Sequence, residues 1–207
     1  MTNIAVLVSG AGRGSNMKNI IEACREGYAK GFVKIVIGIK ESPAINIAKE
    51  YGVNTILINP KDYSSDSEYQ DAIYRCIKEN SIDLICLAGY MKLLGGNVLT
   101  EYENRIMNVH PALIPMFYGK GMYGHYIHEA AIKRGVKFSG CTVHFVDKEY
   151  DTGPIILQTV VKVEPNDTPE ELAARILPQE HKTYREAVRL FCEGKLSVKD
   201  KKVIISD

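Results

Sequence analysis

The sequence predicts an α/β protein built on a central, mostly parallel sheet with helices on both faces. Short β-branched apolar runs alternate with amphipathic stretches through the first half of the chain. The first such run leads through a glycine-rich loop into a helical pattern. No linker, fixed-period repeat or low-complexity tract interrupts the 207 residues, so one domain is expected over 1–207. Alternating strand and helix implies parallel strands, because each crossover must return the chain to the same end of the sheet.

Candidate strands are 4–8, 33–39, 55–58, 84–88 and 106–110, and the helical stretches between them lie near 17–28, 44–52, 67–80 and 97–103. In the third stretch Tyr69, Ile73, Cys76 and Ile77 recur at helical spacing. After 110 the pattern changes, which divides the chain into halves 1–110 and 111–207. A loop rich in glycine and aromatics (116–124) leads to a helix at about 125–134, then to two strand-like runs, 140–146 and 154–163. A last helix over about 169–193 opens with Thr168 as N-cap and Pro169 at its first position.

A chain of this length can bury one sizeable core. Its 26 lysines and arginines nearly balance 25 aspartates and glutamates, so the basic field of a nucleic-acid binder is not expected. Cys24, Cys76, Cys86, Cys141 and Cys192 are scattered and odd in number, with no C-x-x-C pair. They read as reduced core thiols of a cytoplasmic protein, not as a disulfide framework or zinc site. The run 4–8 has no basic segment before it and is far too short to span a bilayer, so neither a signal peptide nor a membrane helix is expected.

The loop Ser9-Gly10-Ala11-Gly12-Arg13-Gly14-Ser15-Asn16 suits a phosphate. Glycines let several backbone N–H groups converge, and the following helix adds the positive end of its dipole. A plain strand-to-helix turn would use the same residues. The spacing G-x-G-x-G departs from the dinucleotide fingerprint, and no G-K-[S/T] follows to make a P-loop.

The run Ile106-Met107-Asn108-Val109-His110-Pro111 is the most informative. Residues two apart on a strand share a face, so Asn108 and His110 point the same way, and Pro111 ends the ladder. An amide donor beside a titratable ring at the carboxyl end of a central strand suits oxyanion stabilisation with proton transfer. A merely hydrogen-bonded Asn and His would look the same. In the turn-rich run Asp147-Lys148-Glu149-Tyr150-Asp151-Thr152-Gly153-Pro154 an aspartate either shapes the loop or leans on a histidine and raises its pKa. His125, His128 and Glu129 match no zinc motif, and His144 reads as a packed strand residue.

Together VLVSGAGRGSN (6–16), LAGYMKLL (87–94), NVHPALIP (108–115), TVHFVDKEYDTGPIILQ (142–158) and QEHKTYREAV (179–188) resemble the glycinamide ribonucleotide formyltransferase family. The segments keep the family's order and about its spacing. The resemblance implies a Rossmann-like formyltransferase fold and formyl transfer from 10-formyltetrahydrofolate to the amine of glycinamide ribonucleotide, without a metal. It implies Asn108, His110 and Asp151 as the catalytic set, with the His110 pKa raised by Asp151. Gly12, Gly14, Ser15, Asn16, Met91, Pro111 and Glu180 match positions that hold the ribonucleotide. Met91, Lys92, Leu93, Leu94, Asn108 and Val146, then Asp147, Lys148, Glu149, Tyr150 and Asp151, match positions around the folate. A cis peptide at Ile114-Pro115 is implied as well.

The chain departs from the family pattern in a lengthened phosphate loop carrying Arg13, and at Leu177, Lys92 and Asp66. Formyltetrahydrofolate deformylases and methionyl-tRNA formyltransferases share the catalytic set, but the first usually add a domain before strand one and the second a domain after the last helix. A non-catalytic nucleotide-binding protein would use the glycine loop without the Asn108, His110 and Asp151 set. The expected partners are the two small substrates, with no nucleic acid and no membrane, and the sequence leaves room for a homo-oligomer.

Overall fold

A computed structural model describes residues 1–10 and 12–206. Ala11, which belongs to the glycine-rich loop, and Asp207 lie outside the described residues. The elements run β1 (Thr2–Val8), α1 (Ser15–Arg25), β2 (Gly31–Gly38), α2 (Pro43–Glu50), β3 (Asn54–Leu57), α3 (Asp66–Glu79), β4 (Leu84–Leu87), α4 (Gly96–Glu101) and β5 (Ile106–His110). They continue with α5 (His125–Arg134), β6 (Phe138–Phe145), β7 (Ile155–Lys162), α6 (Pro169–Cys192), β8 (Leu196–Lys199) and β9 (Lys202–Ile205).

β1 to β7 form one sheet in the order β3-β2-β1-β4-β5-β6-β7. The first five strands pair parallel, and β6 then runs antiparallel to both β5 and β7. From β1 the chain winds outward to β2 and β3, then returns to lay β4 and β5 on the other side. That reversal opens a crevice at the carboxyl ends of β1 and β4.

Alternation along β1 builds the two layers. Ile4, Val6 and Val8 face one core with Met17 and Ile20 of α1, Ile45 of α2 and Leu172 and Tyr184 of α6. Ala5 and Leu7 face the other, with Tyr69, Ile73 and Ile77 of α3 and Val98 of α4. Both faces of the sheet are therefore dry, and each fully buried large aliphatic side chain contributes about 1.5–3 kcal/mol.

Helix α6 opens with the expected cap. Thr168 accepts from the Glu171 N–H while the Glu171 carboxylate accepts from the Thr168 N–H, and Pro169 takes the first turn. The helix continues through Pro178, whose ring supplies no N–H to the ladder. The Ile114–Pro115 peptide is cis.

The antiparallel hairpin β8–β9 was not anticipated from the sequence. Its turn residues Asp200 and Lys201 have φ of 49° and 60°. A two-residue hairpin turn ordinarily announces itself with Asn-Gly or Asp-Gly, and this pair carries no glycine. Among the described residues no helix is long and apolar enough to cross a membrane.

The Tyr184 side chain ties α6 to the sheet. It is fully buried, and its hydroxyl lies 2.9 Å from the Met107 carbonyl and 3.1 Å from the Leu87 carbonyl, one on β5 and one on β4. Tyr184→Phe keeps the ring and strips both carbonyls of their buried donor. It is expected to cost about 1–3 kcal/mol, read as a lower urea midpoint at unchanged slope.

Candidate active site

Strand β5 carries Asn108 and His110 to the carboxyl edge of the sheet, where Pro111 ends the ladder. Its antiparallel neighbour places His144 directly opposite Asn108 and Thr142 opposite His110. Side chains facing each other across a strand pair lie close enough to interact. The Asn108 amide nitrogen accordingly lies 3.3 Å from His144 Nε2. His144 Nδ1 donates to the Phe145 carbonyl at 2.7 Å.

Asp151 comes from the loop between β6 and β7, which doubles back over β6. Gly153 makes that return possible: a Cβ there would lie 1.9 Å from the Phe145 carbonyl oxygen, so no side chain fits. Asp151 itself sits at φ 59°, a conformation that aspartate tolerates better than most residues. Its carboxylate reaches four groups. Oδ1 accepts from the Asn108 amide at 3.3 Å and lies 3.5 Å from His144 Nε2. Oδ2 accepts from the Gly119 N–H at 3.2 Å and lies 3.5 Å from His110 Nδ1. On its other side the His110 ring donates from Nε2 to the Phe117 carbonyl at 2.8 Å.

Both ring nitrogens of His110 thus face oxygen acceptors, an arrangement made for the protonated ring. The net balance is nevertheless the reverse of the sequence expectation. Burial pulls the His110 pKa down, the Asp151 charge and the Phe117 carbonyl push it up, and the result lies below the ordinary histidine value. The sequence reading counted the charge partner and could not count the desolvation of a side chain only 4% exposed. For Asp151, burial works against ionisation but is outweighed by the His144 ring, the His110 charge and the Gly119 N–H, which hold its carboxyl below the usual range.

A second group of predicted residues gathers at the start of α1. Gly14 is the N-cap, left-handed at φ 77°, with no side-chain cap bond and no acidic residue in the first turn. A Cβ on Gly14 would lie 2.8 Å from the Ala44 Cα, so both its conformation and its surroundings demand glycine. The first intrahelical bond runs from the Lys18 N–H to the Gly14 carbonyl, so the N–H groups of Ser15, Asn16 and Met17 have no partner within the helix. Gly12 and Arg13 are exposed beside them. The Asn16 amide donates to Glu180 at 2.9 Å, joining this helix end to α6. Burial raises the Glu180 pKa, and the Asn16 bond offsets this in part. Leu177 stands one turn before Glu180 and is exposed.

The remaining predicted residues lie on two segments that border β5. Met91, Lys92, Leu93 and Leu94 follow β4, whose Leu87 pairs with Asn108. Met91 and Leu93 are exposed and Leu94 is buried. The Lys92 ammonium sits over the Tyr69 ring, 5.3 Å from its centroid. Val146 is bound through its N–H to the Ile106 carbonyl. Asp147 then orders the turn by accepting from the Glu149 N–H and the Thr152 hydroxyl, with Lys148 and Glu149 exposed and Tyr150 half-buried. Pro111 is half-buried at the end of β5.

Sequence reasoning treated His144 as packing and missed its place beside Asp151 and Asn108. The signal was the β5–β6 register, which a single sequence does not supply. His125 is exposed on α5, 3.4 Å from Glu170, whereas His128 is buried with its Nδ1 unpartnered among the described residues, and burial pulls its pKa down to about 4.

Residues 2–188 match the family model described as Formyl transferase. The chain is 41% identical over 199 residues to the chloroplastic phosphoribosylglycinamide formyltransferase of Arabidopsis thaliana, covering 93% of this chain and 66% of that protein. It is 37% identical over 201 residues to the phosphoribosylglycinamide formyltransferase of Haemophilus influenzae, covering 97% of this chain and 92% of that one. The crystal structure of glycinamide ribonucleotide transformylase 1 from Symbiobacterium toebii superposes with a TM-score of 0.94 at 42% identity, over all of this chain and 95% of that one. The chain therefore spans just under two thirds of the plant relative's length.

The electrostatic balance at His110 is directly measurable. Its imidazole titration, followed by NMR, should have a midpoint below that of an exposed histidine. Asp151→Asn removes the charge that favours the protonated ring and should move the midpoint lower still. A midpoint above the ordinary value would show that desolvation does not dominate, and an upward move in the variant would show that the Asp151 charge does not favour the protonated ring.

Proposed function

The chain belongs to the formyl transferase family, and on that premise we propose that it is a phosphoribosylglycinamide formyltransferase. It moves the formyl group of 10-formyltetrahydrofolate onto the amine of glycinamide ribonucleotide, a step of purine synthesis. The observation that carries this reading is the Asn108, His110 and Asp151 constellation at the end of β5, in a chain alike over nearly its full length to a bacterial protein of that name.

The chemistry asks little beyond positioning and charge management. The neutral amine attacks the formyl carbon, the bond from that carbon to the folate nitrogen breaks, and the proton shed by the amine ends on that nitrogen. Negative charge builds on the formyl oxygen in between. The Asn108 amide is the donor for it, and its present contacts at 3.3 Å are long enough for an oxyanion to displace. His110 stabilises the same charge and relays the proton, with Asp151 compensating the ring when it is protonated. For the ring to engage substrate, the Phe117 carbonyl must release Nε2. The loop carrying that carbonyl has Gly119, Gly121 and Gly124 at φ of 90°, 88° and 53°, which gives it the freedom to turn.

The ribonucleotide phosphate takes the free N–H groups at the start of α1, around Gly12, Gly14, Ser15 and Asn16, where the helix dipole favours a dianion. Glu180 contacts the ribose, with Met91 and Pro111 lining the path to His110. The folate lies along Met91–Leu94 and 146–151. On this reading residues 1–110 supply the nucleotide half of one domain and 111–207 complete the folate half. A cytoplasmic location and a reaction without a metal belong to the same proposal.

Loss of formyl-folate absorbance is the test. It should require glycinamide ribonucleotide, whereas equal loss with water alone would make the chain a deformylase. Asp151→Asn should lower turnover by about two orders of magnitude, and Asn108→Ala by roughly 10²–10³, as is typical of lost acid–base and oxyanion assistance. Equilibrium binding of the ribonucleotide should change little in both, because the phosphate site is separate. Normal turnover by Asp151→Asn across the pH range would return that residue to a loop-shaping role.

A further inference from the structure

Helix α3 holds a buried amide that the proposed mechanism does not use. Gln70 is 5% exposed. Its Nε2 donates to the Leu93 carbonyl at 3.0 Å, and its Oε1 accepts from the Gly95 N–H at 3.1 Å. A second, longer bond of 3.4 Å runs from Nε2 to Asp66 on the preceding turn. One side chain thus satisfies a carbonyl and an N–H two residues apart. In an extended chain those two groups point to the same side, so the amide does what a neighbouring parallel strand would do.

The geometry has a consequence for the opposite side. When Leu93 O and Gly95 N–H turn toward Gln70, the N–H and C=O groups of Leu94 between them turn away from it. Among the described residues neither these two groups nor the N–H and C=O of the preceding Lys92 have a hydrogen-bond partner, backbone or side chain. Unpaired backbone groups along an extended segment form a template for a planar ligand edge with alternating donors and acceptors. The same helix also holds the start of the segment. Tyr69 bears the Lys92 ammonium over its ring and shares a 2.6 Å hydroxyl contact with the buried Tyr90.

We propose that Gln70 is a positioning residue for the formyl donor: it clamps 93–95 from behind and so fixes where the unpaired Lys92 and Leu94 backbone groups meet the folate. The inference rests on the reading of Met91–Leu94 as the folate segment. Gln70 does not touch substrate. Its effect is on the donor and not on the ribonucleotide, whose phosphate site lies at the other end of the crevice on α1 and α6.

Steady-state kinetics with both substrates varied, on wild type, Gln70→Leu and Gln70→Glu, tests this. Gln70→Leu leaves two backbone groups unpaired, and the KM for 10-formyltetrahydrofolate should rise on the order of tenfold, with the ribonucleotide KM within about twofold of wild type. A lower thermal midpoint alone would follow from any structural role; the split between the two KM values would not. Gln70→Glu guards against a Leu variant that fails to fold. It keeps the acceptor for Gly95 and loses the donor to Leu93 while ionised. Its donor KM, taken relative to wild type, should therefore fall toward wild type as pH is lowered and the buried carboxyl regains its proton. Unchanged donor KM in both variants, or equal rises for both substrates, overturns the inference. If wild type itself transfers no formyl group to the ribonucleotide, the function reading falls first and this one with it. Wild-type activity with unaffected variants overturns the Gln70 role alone.

Discussion

A carboxylate taken out of water must recover its solvation from the protein, and Asp151 recovers it from every element of the candidate site. The Asn108 amide comes from β5, the His144 ring from β6, the Gly119 N–H from the loop after β5, and the His110 ring from the strand end. Each of these groups is oriented by the charge it satisfies. Removing one would leave the others facing a buried, under-solvated anion, a costly state in a low-dielectric interior. The site is thus held in shape by the same ion that tunes it.

That arrangement depends on where the sheet changes direction. Five parallel strands would put every functional loop at one edge, with no strand able to bring a return loop over β5. Because β6 runs antiparallel to β5, His144 falls opposite Asn108, and the β6–β7 loop can fold back across the pair. The return works only because Gly153 offers no side chain where the backbone passes the Phe145 carbonyl. A backbone contact therefore stands behind an electrostatic one.

Helix α6 and helix α3 play matching parts on the two faces. On one face Tyr184 of α6 reaches the carbonyls of Leu87 and Met107, while Glu180, one turn earlier, meets Asn16 at the start of α1. On the other face Gln70 and Tyr69 of α3 grip the segment after β4. Each helix buries an apolar stripe against the sheet and extends a few polar groups past its edge. The sheet defines the crevice, and the helices determine which backbone groups are left unpaired within it.

The sequence by itself determined the parallel half of the sheet, the Thr168 cap, the glycine-rich turn into α1 and the shared face of Asn108 and His110. These rest on local physics: side-chain periodicity of two or 3.6, capping chemistry, and the conformations only glycine adopts. The motif resemblance supplied Asp151 as a partner for His110, and the two do meet at 3.5 Å. Tertiary structure alone decided the rest. His144 joins the site through a strand register, Gln70 reaches Leu93 and Gly95 across a crossover, and the β8–β9 hairpin forms at a turn without glycine. The direction of the His110 pKa belongs here too, because it is set by burial, a property of the folded neighbourhood that no local pattern encodes.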